Sequence, residues 1–307
     1  TLEHINHYKN VPKLCYMTTI WHPEQLSMIM NCKDIDEGFN IDKIFDDQTS
    51  INNLLNFIGG NGISKKNKNT VYERINKHSR VYGNENVNIG VKPCIQLWLL
   101  PPNNIKKKSI NLKEQMEKHR KFKDYNILTV HSNDPYINIL KQGEDGLEGS
   151  LEEILKTCDK GLILLAGSML NLGISLPSCD IVLKLHNKQS ADENEQQDSR
   201  CMTESIGKKY GYVYDLNPHR ILSKTFGICN QINMNLHHPE SGKYCIEHNL
   251  IEIDSDLFDT IDNTEKYNKI YKKLNDTYKE FIGLNKESYK KLMSCNINNI
   301  SKDIYKN

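Results

Sequence analysis

Near-continuous apolar runs recur through the middle of the chain, separated by polar stretches that open with helix-capping residues. Cys94 to Leu100, Ile127 to Val130, Gly161 to Ala166, Ile181 to Leu185 and Tyr212 to Asp215 are apolar nearly throughout. That is the pattern of parallel strands buried on both faces, since half-exposed strands alternate. Pro101-Pro102 stops the first run. Between runs, Asn111 with Glu114 predicts a helix through about Lys123. Ser150 with Glu153 predicts a short one with a Leu151, Ile154, Leu155, Cys158 stripe. Ser190 with Glu193 predicts a third, carrying Gln196, Arg200 and Thr203 on one face before Gly207 ends it. Strand, helix and strand at these lengths make right-handed parallel crossovers. The expected fold is α/β: one open parallel sheet with helices on both faces and binding residues on loops at the carboxyl ends of the strands.

The flanks are less periodic. Lys13 to Ile20 reads as a strand, either an ordinary buried one or the last piece of a preceding domain, and Pro23 opens a helix through Glu24 to Met30. Gly59-Gly-Asn-Gly62 lacks the Gly-Lys-Ser/Thr ending of a phosphate loop and reads as a turn, and Thr70 to Tyr82 as a helix with a solvated basic face. Past Arg220 the strand signal is Leu250 to Ile253. Tyr267, Ile270, Tyr271, Leu274, Tyr278 and Phe281 then form one helical stripe of a mainly helical extension.

Composition sharpens this picture in three places. The 307 residues carry 40 basic and 39 acidic side chains, net +1, so any surface for nucleic acid must be a local one. Nine cysteines without a repeated short spacing suit reduced thiols in an intracellular protein. No apolar run reaches the length of a membrane span, so no membrane partner is expected. Cys229, His237, His238, Cys245 and His248 have zinc-binding chemistry at irregular spacing, and no metal site is expected there. The chain begins with Thr1, which suggests a fragment of a longer protein.

Leu172-Gly-Ile-Ser-Leu-Pro177 followed by Gln196-Gln-Asp-Ser-Arg-Cys-Met-Thr-Glu204 resembles motifs V and VI of the second, carboxyl-terminal lobe of superfamily 2 helicases. The likeness is strongest to the helicase-like ATPases of large DNA viruses and covers about Pro93 to Leu222. It implies a RecA-like (P-loop NTPase-type) lobe over residues 91–222, a linking or inserted segment over 1–90 or the end of the first lobe there, and a helical extension over 223–307. It also implies an ATP-dependent helicase or translocase acting only with a first lobe of the same polypeptide, which would bind most of the ATP and Mg. If viral, the protein would sit in the virion or in host cytoplasm or nucleus. Motif VI ordinarily ends Gly-Arg-x-x-Arg; here Ser199-Arg200 is followed by Thr203, so Arg200 is the motif's one arginine.

The residues support roles in the same direction. A planar, permanently charged guanidinium at Arg200 could stabilise charge built up in phosphoryl transfer, an effect worth about three to five orders of magnitude for an arginine finger. Gln196, one turn earlier, would hold nucleotide or the opposite lobe, and Gly173 offers a bare backbone to ATP phosphates. His131, Ser132, Gly167 and Ser168, ending two strands, are the expected contacts to a DNA or RNA backbone. Lys106, Lys107 and Lys108, with Lys118, Arg120, Lys121 and Lys123, supply positive charge, or are a solvated helix end. Asp215 suits burial or capping. The alternative is a non-catalytic nucleic-acid- or protein-binding module with a motor-like fold.

Overall fold

A computed structural model describes residues 11–19, 41–59, 94–131, 151, 153–167, 176, 178–188, 190–205, 208, 210–217, 220, 221, 224 and 251–254. The strands are β1 (Lys13–Thr19), β2 (Ile95–Leu99), β3 (Asn126–Val130), β4 (Leu162–Ala166), β5 (Cys179–Lys184), β6 (Tyr210–Asp215) and β7 (Ile251–Asp254). The helices are α1 (Gln48–Gly59), α2 (Ile105–Lys118) and α3 (Ala191–Asp198), with 3-10 turns at Ile41–Asp46 and Ser199–Met202.

All seven strands form one sheet in the order β3-β4-β2-β5-β6-β1-β7. Every pairing is parallel. The five apolar runs are its first five strands in that order, and β2, β4 and β5 are buried along their whole length. Alternation within each strand separates two faces. Trp98, Ile163, Leu165, Ile181, Leu183, Tyr212 and Tyr214 face a core closed by α1, α2 and the first 3-10 turn. Lys184, on the other face, meets α3 through Asn194 and Asp198. Helices thus cover both faces, the RecA-like architecture that the resemblance implies. Fully buried side chains such as Phe45 and Phe122 each contribute about 1.5–3 kcal/mol of transfer free energy.

Three local expectations differ from the structure. α2 begins at Ile105, six residues before the predicted start at Asn111, because the chain leaves Pro101-Pro102 through Asn104 in a left-handed conformation (φ 54°). Such a start makes no side-chain cap, so the capping pattern of Asn111 and Glu114 lies inside the helix. α2 also stops at Lys118; hydrogen bonds from Phe122 and Lys123 to the His119 carbonyl wind the following residues into turns. The third helix begins as predicted, with the Ser190 hydroxyl accepting from the Glu193 N–H at 3.3 Å. It tightens into a 3-10 turn at Ser199, so Gln196, Arg200 and Thr203 do not share an α-helical stripe.

Segments outside the central stretch complete the sheet. β1, the strand read at Lys13, lies between β6 and β7, with Lys13 opposite Tyr210 and Tyr16 opposite Ile251. It is a strand of this sheet. The chain divides into two compact units, Thr1–Pro218 with Asn249–Asp259, and His219–His248 with Thr260–Asn307. Of the second, the described residues are Arg220, Ile221 and Lys224, all helical. The predicted helices at 24–30 and 70–82, the helical stripe from Tyr267 to Phe281 and the Cys229 to His248 group lie outside the described residues.

Candidate functional site

The carboxyl ends of β3 and β4 stand side by side. Val130 pairs with Ala166, so His131 and Gly167, each the next residue, are neighbours at that edge. His131 is half-buried and Gly167 buried. A Cβ on Gly167 would stand 3.3 Å from Cγ1 of Ile105, the first residue of α2, so the start of α2 abuts the same edge. Ser132, Ser168 and Gly173 lie outside the described residues.

The start of α2 carries an unusual charge pattern. Its first turn holds Lys106, Lys107 and Lys108 and no acidic residue. The positive end of a helix dipole disfavours cations there by about 0.3–1 kcal/mol each at an exposed position. Lys106 and Lys107 are exposed and Lys108 is buried. An open groove of about 520 Å³ is lined by Asn104, Lys106, Lys107, Ile110 and Asn111. Among the described residues Ile110 is the exposed large hydrophobic side chain. Amide, cation and apolar surface in one groove suit a sugar-phosphate backbone. Sequence reasoning missed Asn104 and Ile110 and read Asn111 only as a cap because it began the helix too late; Asn103-Asn104 after a proline pair was the available signal.

The second basic group is elsewhere. α2 has 14 residues and spans about 21 Å, so Lys118, Arg120, Lys121 and Lys123 lie at its far end, near the amino-terminal end of β3. There the helix dipole favours them, and Lys160 crosses the turn to donate to the Lys121 carbonyl at 3.0 Å.

Arg200 is placed by the opposite face of the sheet. Gln196 is exposed on α3, whereas its neighbour Gln197 is buried against His186, Nε2 to Oε1 at 3.0 Å. Arg200, on the 3-10 turn, is half-buried, and that burial lowers its guanidinium from the ordinary value. The turn reaches the amino-terminal ends of β5 and β6. Lys208 Nζ donates to the Cys179 carbonyl at 2.7 Å and to the Thr203 carbonyl at 3.1 Å, tying the end of the turn to β5. The structure therefore brings His131 and Gly167 together and sets Arg200 apart from them, on the α3 face. Asp215 is buried and its Oδ1 accepts from the Asn217 N–H at 2.9 Å, a turn-closing role. Among the described residues no cluster of His, Cys, Asp or Glu could hold a metal ion. Nor is any described helix long and apolar enough to cross a membrane.

No protein-family model matches the sequence. No curated protein matches it either. Among solved structures, the chain is similar to an ATP-dependent Type ISP restriction-modification enzyme, LlaBIII, bound to DNA, at 14% identity and TM-score 0.45 over 87% of this chain and 17% of that one. It is similar to T4 UvsW at 10% identity and TM-score 0.34, over 66% of this chain and 32% of that one. It is similar to the C-terminal domain of the DEAD-box protein Dbp5 at 12% identity and TM-score 0.35, over 86% and 99%. The chain thus spans about a sixth and about a third of the first two proteins. Likenesses this distant assign neither family nor activity.

Proposed function

We propose that this chain is the second RecA-like lobe of an ATP-dependent nucleic-acid helicase or translocase, contributing motif V and VI residues to an ATP site shared with a first lobe of the same polypeptide. The observation that carries this reading is the succession β4, β5, capped helix α3 with its 3-10 turn, and β6, in which Gln196 and Arg200 ride on an element laid across the sheet. In this reading Mg and most of the ATP belong to the first lobe, with Gly173, Gln196 and Arg200 meeting the nucleotide from the second. The carboxyl edge would grip nucleic acid. His131 and Gly167, with Ser132 and Ser168 following them, would meet the backbone beside the groove at the start of α2. Lysines held against the helix dipole support this, because a phosphate there would neutralise them. Closure of the lobes on ATP and release after hydrolysis would shift the grip on the strand.

A second reading is a non-catalytic binding module with a motor-like fold. Thr203 favours it, because the position of the second arginine is neutral and its carbonyl is held by Lys208.

Steady-state ATP turnover by the full-length protein, with and without single-stranded nucleic acid, separates the two. A motor gives stimulated turnover that Arg200→Lys lowers by roughly two orders of magnitude while ATP still binds, since an ammonium lacks the planar fork. Absence of turnover in the parent favours the module; equal turnover in parent and variant removes Arg200 from the site.

A further inference from the structure

Lys184 lies on β5, flanked by β2 and β6, and its side chain is 2% exposed, as is that of Asp198. Its Nζ stands 2.5 Å from Asp198 Oδ1 and donates to both the main-chain oxygen and Oδ1 of Asn194, at 3.2 Å each. Two hydrogen bonds to Asn194 and one ion pair with Asp198 thus hold the ammonium. Asn194 is tied down in turn, its Nδ2 donating to the carbonyls of Lys188 at 3.2 Å and Ser190 at 2.7 Å. A buried ion pair is a weak source of stability, because desolvation of both ions opposes their attraction; its better-attested use is to hold one arrangement against others.

The arrangement held here is a change of winding. Asp198 is both the last residue of α3 and the N-cap of the 3-10 turn Ser199–Met202, and Arg200 follows two residues later. An α-helix turns about 100° per residue and a 3-10 helix about 120°. Moving the point of tightening by two residues would therefore redirect the Arg200 side chain by about 40°.

We infer that Lys184 is a positioning residue for Arg200: by holding Asn194 and Asp198 it fixes where α3 tightens into the 3-10 turn, and so the heading of the guanidinium. The catalytic consequence rests on the proposed role of Arg200; the geometric one does not.

The test compares full-length parent protein, Lys184→Met alone, the paired variant Lys184→Met with Asp198→Leu, and Asp198→Asn. The paired variant orphans neither charge and leaves only the Asn194 oxygens without their donor, so its melting temperature should fall less than that of Lys184→Met alone. Its crystal structure should show residues 199–202 rewound and Arg200 redirected. Nucleic-acid-stimulated kcat for ATP should fall by about tenfold or more while KM for ATP stays within about twofold. An unchanged 3-10 turn and Arg200 heading, or parental kcat in the folded variant, overturns the inference. Should the paired variant not fold, Asp198→Asn, which keeps shape and removes one charge, is judged on the same readouts. A parent without ATP turnover removes the proposed function, and the crystal structure alone then decides the positioning.

Discussion

The carbonyl carbon of Cys201 lies 2.8 Å from the point where a Cβ on Gly211 would stand, and its oxygen lies closer still. The 3-10 turn that carries Arg200 can rest on β6 only because residue 211 has no side chain. The obstacle is backbone, which cannot swing aside. Gly211→Ala should therefore lower unfolding stability by about 1–3 kcal/mol, the range for overpacking a filled interior. A urea midpoint equal to that of the parent would show that the turn is free to lift.

Lys106 and Lys107 make the opposite kind of prediction, weaker binding at undiminished stability. Replacing both by alanine removes two exposed cations from the positive end of α2. Stability should stay level or rise by about 0.3–1 kcal/mol per lysine. The slope of log K against log salt for single-stranded nucleic acid should shrink by roughly 0.7 for each phosphate that the variant no longer neutralises. An unaltered slope would take the groove out of the nucleic-acid path.

His119 gives the molecule a pH dependence of predictable sign. Its Nε2 pairs with Asn56 Oδ1 at 3.1 Å and its Nδ1 accepts from the Lys121 N–H at 3.3 Å. Burial, and then the neighbouring Arg120 and Lys121 charges, lower its pKa from the ordinary value near 6.5. The unfolded chain therefore binds a proton more readily than the folded one. The stability that the neutral ring contributes is fully present above about pH 6.5 and is lost as pH falls toward the folded value. His119→Gln should flatten the change in urea midpoint between pH 7.5 and 5.5; an equally steep change in the variant would point to another group.

The thiols of Cys179 and Cys201 should be inert while the chain is folded. Both are fully buried, and burial pushes Cys179 up to about 12 and raises Cys201 well above the ordinary range. The reactive thiolate is then scarce at neutral pH. Iodoacetamide at pH 8 should label neither by peptide mass mapping until denaturant is added. Prompt labelling of Cys201 in the native protein would mean that the 3-10 turn opens readily.

Much of the sheet was legible in the chain itself. A strand buried on both faces must be apolar at successive positions, so the runs Cys94 to Leu100, Gly161 to Ala166 and Ile181 to Leu185 announce β2, β4 and β5 locally, and the Ser190 cap announces α3. Parallel pairing followed as well, because the helices between strands forbid tight hairpins. Tertiary structure decided the rest, for reasons that act over long range. The place of β1 between β6 and β7 depends on partners some 200 residues away in sequence, which no local pattern encodes. The start of α2 depends on one left-handed residue, Asn104, which leaves no side-chain capping signature. The winding at Ser199 departs from the α-helical pattern of the sequence, at a place where Asp198 meets the buried Lys184 and Cys201 lies against Gly211. The candidate site divides along the same line. His131, Gly167 and Arg200 were named from residue type and order, but which of them share an edge is set by strand register and by the face on which α3 is laid, and both are properties of the folded sheet.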